Sequence, residues 1–241
     1  MRISRVKKMS PLKRFLYWIE ERYDVYLKRI DGQAKPWTDD EIIQTVFFTN
    51  PYREDDKTTV WFRDNLRDPY SSDPIVLFAT VAFRWFNRIS TGELLMENHN
   101  NLWINWNEKK AVKLLEEAAK KGPVFTGAYM IKVCSQLRSK ADGGDKLRSV
   151  CDLLSDVWED QDDMLAEIEE HNTLEHCCTV LKRIPYVGGF IAYEVACDLR
   201  YTDVLSNATD VDTWANIGPG ARRGTNRLLK RSDINKAVSR Q

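Results

Sequence analysis

The chain has 241 residues, 36 Lys and Arg against 36 Asp and Glu, and a hydrophobic share of 43%. That is enough apolar material for a core and excludes a globally disordered chain, while a net charge of zero names no partner by itself. Five cysteines without framework spacing, no apolar signal core and no run near the roughly 18 residues of a membrane span predict a soluble protein of a reducing cytosol.

Helical periodicity dominates in chain order. Phe15, Leu16, Ile19, Tyr23, Tyr26, Leu27 and Ile30 form the apolar stripe of a first helix. Thr38 with Glu41 three residues on predicts a capping box for a second. "DPIVLFATVAFRWFNRI" is strongly apolar, with Pro74 near its start. "NEKKAVKLLEEAAKKG" is amphipathic and predicts a C-cap at Gly122. "PVFTGAYMIKV" is the best strand candidate, and "DKLRSVCDLLSDVWEDQDDMLAEIEE" reads as one or two helices. "TLEHCCTVLKRI" and "GGFIAYEVACDLRY" form a pair, and "RGTNRLLKR" a last short helix. With no repeat and no linker, the expected architecture is mainly α: one domain over 1–241, in two lobes with a cleft between them.

The neutral average hides a dipolar chain. Ten acids and no Lys or Arg lie between Asp152 and Glu175, whereas seven cations and one acid lie between Arg222 and Arg240. The acidic run predicts a solvated helix face, with a partner surface as the alternative; the basic run can attract polyanions. "HNTLEHCC" gathers His171, His176, Cys177 and Cys178, but adjacent cysteines diverge on a helix, so core or surface positions are expected rather than zinc ligands.

Two segments carry the functional argument. In the stretch 173–200, two apolar helices flank a turn with Pro185, Tyr186, Gly188 and Gly189. This is the layout of a helix–hairpin–helix, whose glycines and helix N-terminus offer N–H groups to DNA phosphate; an ordinary αα-hairpin is the alternative. Downstream, "DVDTWANIGPGARRGTNRLLKR" joins two carboxylates, a glycine loop and a run of cations. Asp210 and Asp212 share a face in extended chain; alternatively they cap a helix starting at Thr213. The loop lacks the Gly-Lys-Ser/Thr ending of a P-loop, and no other segment supplies one.

Helix–hairpin–helix DNA glycosylases follow their hairpin with an aspartate in a Val-Asp-Thr-His-like pattern, which "VDTW" resembles, with Asp212 at the aspartate, Trp214 at the histidine and Phe190 at the catalytic lysine. The gap is a few residues longer than usual, and no iron–sulfur cysteine cluster follows. "FFTNPYREDDKTTVWFRDN", "FRWFNRISTGE" and "DVDTWANIGPGARRGTNRL" together resemble the α-glutamyl/putrescinyl thymine pyrophosphorylase family of phage thymine hypermodification, to which the helical domain of 5-hydroxymethyluracil DNA kinases is related. The resemblance spans roughly Phe15 to Arg231.

It implies a mainly α, two-lobed, glycosylase-like fold and a base-modifying transferase of the host cytoplasm. An amine, from an amino acid or polyamine, would displace pyrophosphate from 5-(pyrophosphoryloxymethyl)uracil in DNA, with the base flipped out or the strand single. Asp212, with Asp210 and Arg53, is the catalytic choice, since an attacking ammonium must lose a proton. Gly218, Gly220, Arg222, Arg223, Arg227, Trp214, Asn50, Tyr52 and Asn87 are the expected pyrophosphate- or substrate-binding set, and Tyr186, Gly188 and Gly189 the DNA-binding set. No metal ligand set is expected, although a divalent ion on the pyrophosphate is an option. The arginines serve equally as plain DNA-phosphate contacts. Two rival functions stay open: a non-catalytic DNA-binding module of a 5-hydroxymethyluracil DNA kinase system, and a DNA glycosylase.

Overall fold

The structure is a computed structural model that describes residues 9–130 and 146–238. Its helices in chain order are α1 (Pro11–Ile30), α2 (Glu41–Thr45), α3 (Lys57–Phe62), α4 (Val76–Phe86), α5 (Ile89–Glu97), α6 (Glu108–Ala119), α7 (Lys146–His171), α8 (Leu174–Leu181), α9 (Gly189–Leu199) and α10 (Pro219–Leu228). A 3₁₀ turn at Arg53–Asp55 and a π turn at Arg63–Arg67 complete the set. No strand occurs among the described residues. Pro123–Met130 of the expected strand is irregular, and its last three positions lie outside the described residues.

The chain divides into two compact units, one of residues 1–60 and 217–241 and the other of residues 61–216. The second holds every buried hydrophobic residue described, from Phe62 to Leu205. All eleven residues of α4 are buried, as a helix apolar on every side requires. Against α4 pack α7, α9 and the π turn. Among the polar residues of this core, Arg84 of α4 meets the fully buried Asp198 of α9 in a two-pronged pair, Nε to Oδ2 at 2.5 Å and Nη2 to Oδ1 at 2.9 Å, whereas the buried Gln161 Oε1 has no hydrogen-bond partner. Gly92 is required by a close approach, because a Cβ there would overlap the Trp61 ring. Nine of the ten acids of the acidic run lie on one helix, α7, with Leu154, Val157 and Ile168 inward and Asp160, Asp162, Asp163, Glu169 and Glu170 exposed, while Glu175 falls on α8.

The first unit is built differently. Its buried residues among those described, Arg22, Thr38, Thr59 and Asn226, are all polar. The α1 stripe does not form the expected buried face: Phe15, Leu16, Leu27 and Ile30 are exposed, and the one buried residue of the helix is Arg22. Helix α10 packs on α1.

Three local expectations are corrected. Helix α2 is capped by Asp40, whose Oδ1 accepts from the N–H groups of Ile42 and Ile43 at 3.0 and 3.2 Å. Thr38 instead donates to Glu21 at 2.5 Å and accepts from the Asp40 N–H at 3.0 Å. Helix α6 ends before Gly122, at Ala119, with Lys120 as its C-cap. The glycine loop is the first turn of α10, with Pro219 at its first position, where proline lacks only an N–H that a helix start leaves unpaired anyway.

Candidate nucleic-acid interface

The α8–α9 hairpin begins with a doubly held helix start. Thr173 caps α8 by accepting from the His176 N–H at 3.1 Å. Asp210, far along the chain, accepts from the next two donors, Leu174 at 2.7 Å and Glu175 at 3.0 Å. The 207–210 loop is tied down further by Asn172, whose side-chain amide donates to the Asn207 carbonyl and whose own carbonyl accepts from the Thr209 N–H. The Asp210 carboxylate is therefore the cap of α8. No helix starts at Thr213, which corrects the reading of Asp210 and Asp212 as local caps there.

The turn itself is short. Val187 N–H donates to the Ile184 carbonyl at 3.1 Å, and Tyr186 takes φ +67, the left-handed region, with its side chain 42% exposed. Gly188 is the N-cap of α9 and brings no side chain to accept from the helix start. Consequently the N–H groups of Gly188, Gly189, Phe190 and Ile191 have no acceptor among the described residues. A Cβ on Gly188 would meet nothing within 4 Å, so no steric crowding requires glycine there; what the glycine does is leave these donors uncovered. Gly189 is crowded, since its Cβ would come 3.1 Å from the Asn216 amide, which donates to the Gly189 carbonyl at 2.6 Å. No local pattern in the sequence marks the Asn216 clamp, a side chain that closes a turn 27 residues away.

Around the turn, Phe190 is exposed and meets Tyr129 edge-on at 5.2 Å. Trp214 is half-buried and meets Tyr193 edge-on at 5.7 Å, so it packs against α9. Burial pushes the Tyr193 hydroxyl up to about 12. Asp212 is exposed, and its carboxylate has no partner among the described residues. Behind the turn, Arg183 Nη1 and Nη2 both reach Glu167, and this hydrogen-bonded cation holds the Glu167 carboxyl below its usual value.

The other expected residues fall in two further places. Asn87 lies in the core unit, as the left-handed C-cap of α4, and its Oδ1 accepts from Arg84 at 3.1 Å. It thereby braces the buried Arg84–Asp198 pair. Asn50, Tyr52 and Arg53 lie in the first unit. Asn50 donates to the Asp55 carbonyl at 2.5 Å, and Tyr52 is exposed and packs edge-on to Tyr23 at 4.9 Å. Gly218 is the uncapped N-cap of α10, Gly220 follows Pro219, and Arg222, Arg223 and Arg227 project from this helix with no ion-pair partner among the described residues. The unit boundary falls between Asn216 and Ile217, so Asp212 and these arginines belong to different units.

No group of three His, Cys, Asp or Glu residues suited to a metal ion occurs among the described residues. His171 and His176 stack at 3.7 Å, and His176 faces Glu167 at 3.1 Å rather than converging with the cysteines. Cys177 and Cys178 are buried, which pushes the Cys178 thiol to about 12 and the Cys177 thiol well above the ordinary range. No helix among the described residues is long and apolar enough to cross a membrane.

The model of the helical domain of 5-hmdU DNA kinase matches residues 10–240. The chain belongs to this family. It is 33% identical over 227 residues to the 5-hmdU DNA kinase of Bacillus phage SP10, across 87% of this chain and 35% of that protein. The chain thus spans about a third of the length of that relative. No solved structure matches it.

Proposed function

We propose that the chain engages DNA carrying 5-hydroxymethyluracil-derived bases and modifies such a base as a transferase on a helix–hairpin–helix, glycosylase-like scaffold. The observation that carries this reading is the run of four uncovered N–H groups from Gly188 to Ile191, in a chain whose family is named for a DNA kinase of that base. Backbone donors at a helix start suit a phosphate oxygen and are indifferent to sequence. Lys182, exposed just before the turn, adds positive charge there.

In the proposed reaction, an amine nitrogen attacks the methylene carbon of 5-(pyrophosphoryloxymethyl)uracil. The carbon–oxygen bond to pyrophosphate breaks, pyrophosphate carries away the bonding electrons, and a proton passes from the attacking ammonium to a carboxylate. Asp212 is the proposed base, because it is exposed and unengaged where Asp210 is tied into α8. Arg222, Arg223 and Arg227 are proposed phosphate ligands for the same reason: no carboxylate described holds them. Arg53 remains a proposed catalytic residue, and Asn50, Tyr52 and Trp214 remain proposed substrate contacts.

A second reading has its own support. The chain covers 35% of a kinase that it resembles and its 241 residues carry no P-loop, which fits a binding domain that presents modified DNA to a kinase or transferase domain. Mass spectrometry of nucleosides separates the readings, after incubation of the chain with pyrophosphorylated DNA and candidate amines. Transfer yields an aminomethyl base and free pyrophosphate, a binding domain yields neither while retaining the DNA, and an abasic product would mark a glycosylase and end the transferase reading.

A further inference from the structure

The first unit holds a cavity of about 410 Å³ between α1 and the 35–50 segment, within the roughly 300–1,000 Å³ range of small-ligand pockets. Three cations line it, Arg22, Arg29 and Lys35, and no carboxylate does. Arg22 is the unusual member. It is 8% exposed, one guanidinium nitrogen donates to the Thr49 carbonyl, and its Nε has no hydrogen-bond partner. The guanidinium lies 4.1 Å from the Trp18 ring centroid and 5.2 Å from that of Phe48. A buried cation with an empty donor and no counter-ion is costly unless something anionic completes it. Arg29, whose guanidinium reaches the Asn50 amide oxygen at 3.4 Å and lies 5.6 Å from the Tyr26 ring centroid, and Lys35, whose ammonium is 4.9 Å from the Trp37 ring, are exposed at the same cavity.

The cavity also presents rings. Trp37 is fixed at both ends, its Nε1 donating to the Gln33 carbonyl at 2.7 Å and its own carbonyl accepting from Lys28 at 2.9 Å. Phe47 is 88% exposed, with no ring partner among the described residues. Cations answer a phosphate, and an open aromatic face answers a planar base. We propose that this cavity is a nucleotide-binding pocket, in which Arg22, Arg29 and Lys35 hold the phosphate and Phe47 or Trp37 stacks on the base. The phosphate-bearing nucleotide is either free or one unit of a single strand. The inference does not rest on the hairpin reading: its residues belong to the other unit, and its test needs no modified base.

The test is calorimetric titration of the whole chain with thymidine 5′-monophosphate, a short oligothymidylate, thymidine and inorganic phosphate. The nucleotide, free or in the strand, should bind at least about tenfold more tightly than thymidine or inorganic phosphate, since one hydrogen bond to a charged group is commonly worth that factor. Arg29→Ala with Lys35→Ala should lose about tenfold or more, and Phe47→Ala should weaken the nucleotide but not inorganic phosphate. These three residues are exposed, so both variants keep the wild-type melting curve. Binding by the oligothymidylate alone, lost in the same variants, would assign the site to the strand. No binding by either nucleotide form, equal affinity in wild type and the Arg29/Lys35 variant, or no preference over inorganic phosphate would each overturn the proposal.

Discussion

Asp210 and Leu174 are joined across 36 residues by a 2.7 Å hydrogen bond from backbone N–H to carboxylate, and the neighbouring Glu175 N–H takes the second oxygen at 3.0 Å. One aspartate thus completes the start of α8 and fastens the 207–210 loop to it. A helix start leaves its first donors unpaired, and a carboxylate there both accepts them and complements the helix dipole. Asp210→Ala should therefore lower stability by about 0.5–2 kcal/mol in a urea melt, the range for loss of a helix cap. Asp212→Ala should stay within about 0.5 kcal/mol of wild type, as an exposed unpartnered residue does. Equal stability of the two variants would contradict the assignment of the cap to Asp210.

The same aspartate shows what is legible in sequence. Helix content, the α8–α9 pair and its turn follow from local signals: 3.6-residue periodicity, Thr173 ahead of an apolar run, and glycines between two apolar segments. A cap that arrives from 36 residues away leaves no local trace, so both carboxylates of "DVDTW" read alike. The opposite error occurs at α10. Gly-Pro-Gly reads as a loop on propensity, yet Pro219 suits the first helical position, and packing on α1 outweighs the roughly 1 kcal/mol that a helical glycine costs. In α1 the apolar stripe is real in the sequence, but burial falls instead on Arg22, which periodicity counts as polar. The division into two units between Asn216 and Ile217 was equally hidden, because no linker composition marks it.

Burial sets the reactivity of the paired cysteines. Cys178 is pushed up to about 12, first by desolvation and then by the neighbouring Cys197. The raised value favours the neutral thiol in the folded state, so its stabilising effect is complete below the unfolded thiol value of about 8.5 and is lost as pH rises from there toward 12. Iodoacetamide at pH 8 should leave Cys177 and Cys178 unmodified in the native chain and alkylate both in denaturant, as peptide mass spectrometry would show. Rapid native alkylation of either would contradict their burial.

At the hairpin, Gly188→Glu is sterically permitted, since a Cβ meets nothing within 4 Å. The variant should fold normally while placing a carboxylate beside the uncovered N–H groups. DNA affinity at fixed salt should fall by a similar factor on unrelated sequences, because phosphate contacts position a protein without specifying a base. An unchanged affinity in a folded Gly188→Glu protein would reduce the hairpin to a turn.

For α10, Arg222→Ala and Arg223→Ala distinguish two phosphates. Loss of a DNA-backbone contact should weaken binding and flatten the slope of log affinity against log salt by roughly one unit. Loss of a pyrophosphate contact should leave that slope intact and lower turnover. Neither change, measured by fluorescence anisotropy across a salt series and by pyrophosphate release, would leave these arginines as plain surface.

Asp212 carries the sharpest consequence of the transferase proposal. Its carboxylate is exposed and unpartnered, so Asp212→Asn removes a charge without removing a structural bond. Folding and DNA binding should survive, because neither depends on that group. Transfer should fall by about 10²–10⁴, the usual cost of losing a general base, and the loss should shrink as pH rises and more of the amine arrives already deprotonated. Asp210→Asn is the contrasting variant: it keeps one acceptor for α8, so its effect should appear mainly in stability and be small in turnover at temperatures where it is folded. Near-normal transfer by Asp212→Asn beside an inactive, folded Asp210→Asn would move the chemistry to the other carboxylate. Normal turnover in both would take the segment out of the mechanism, and retained DNA binding with no turnover even in wild type would favour the kinase-associated binding domain.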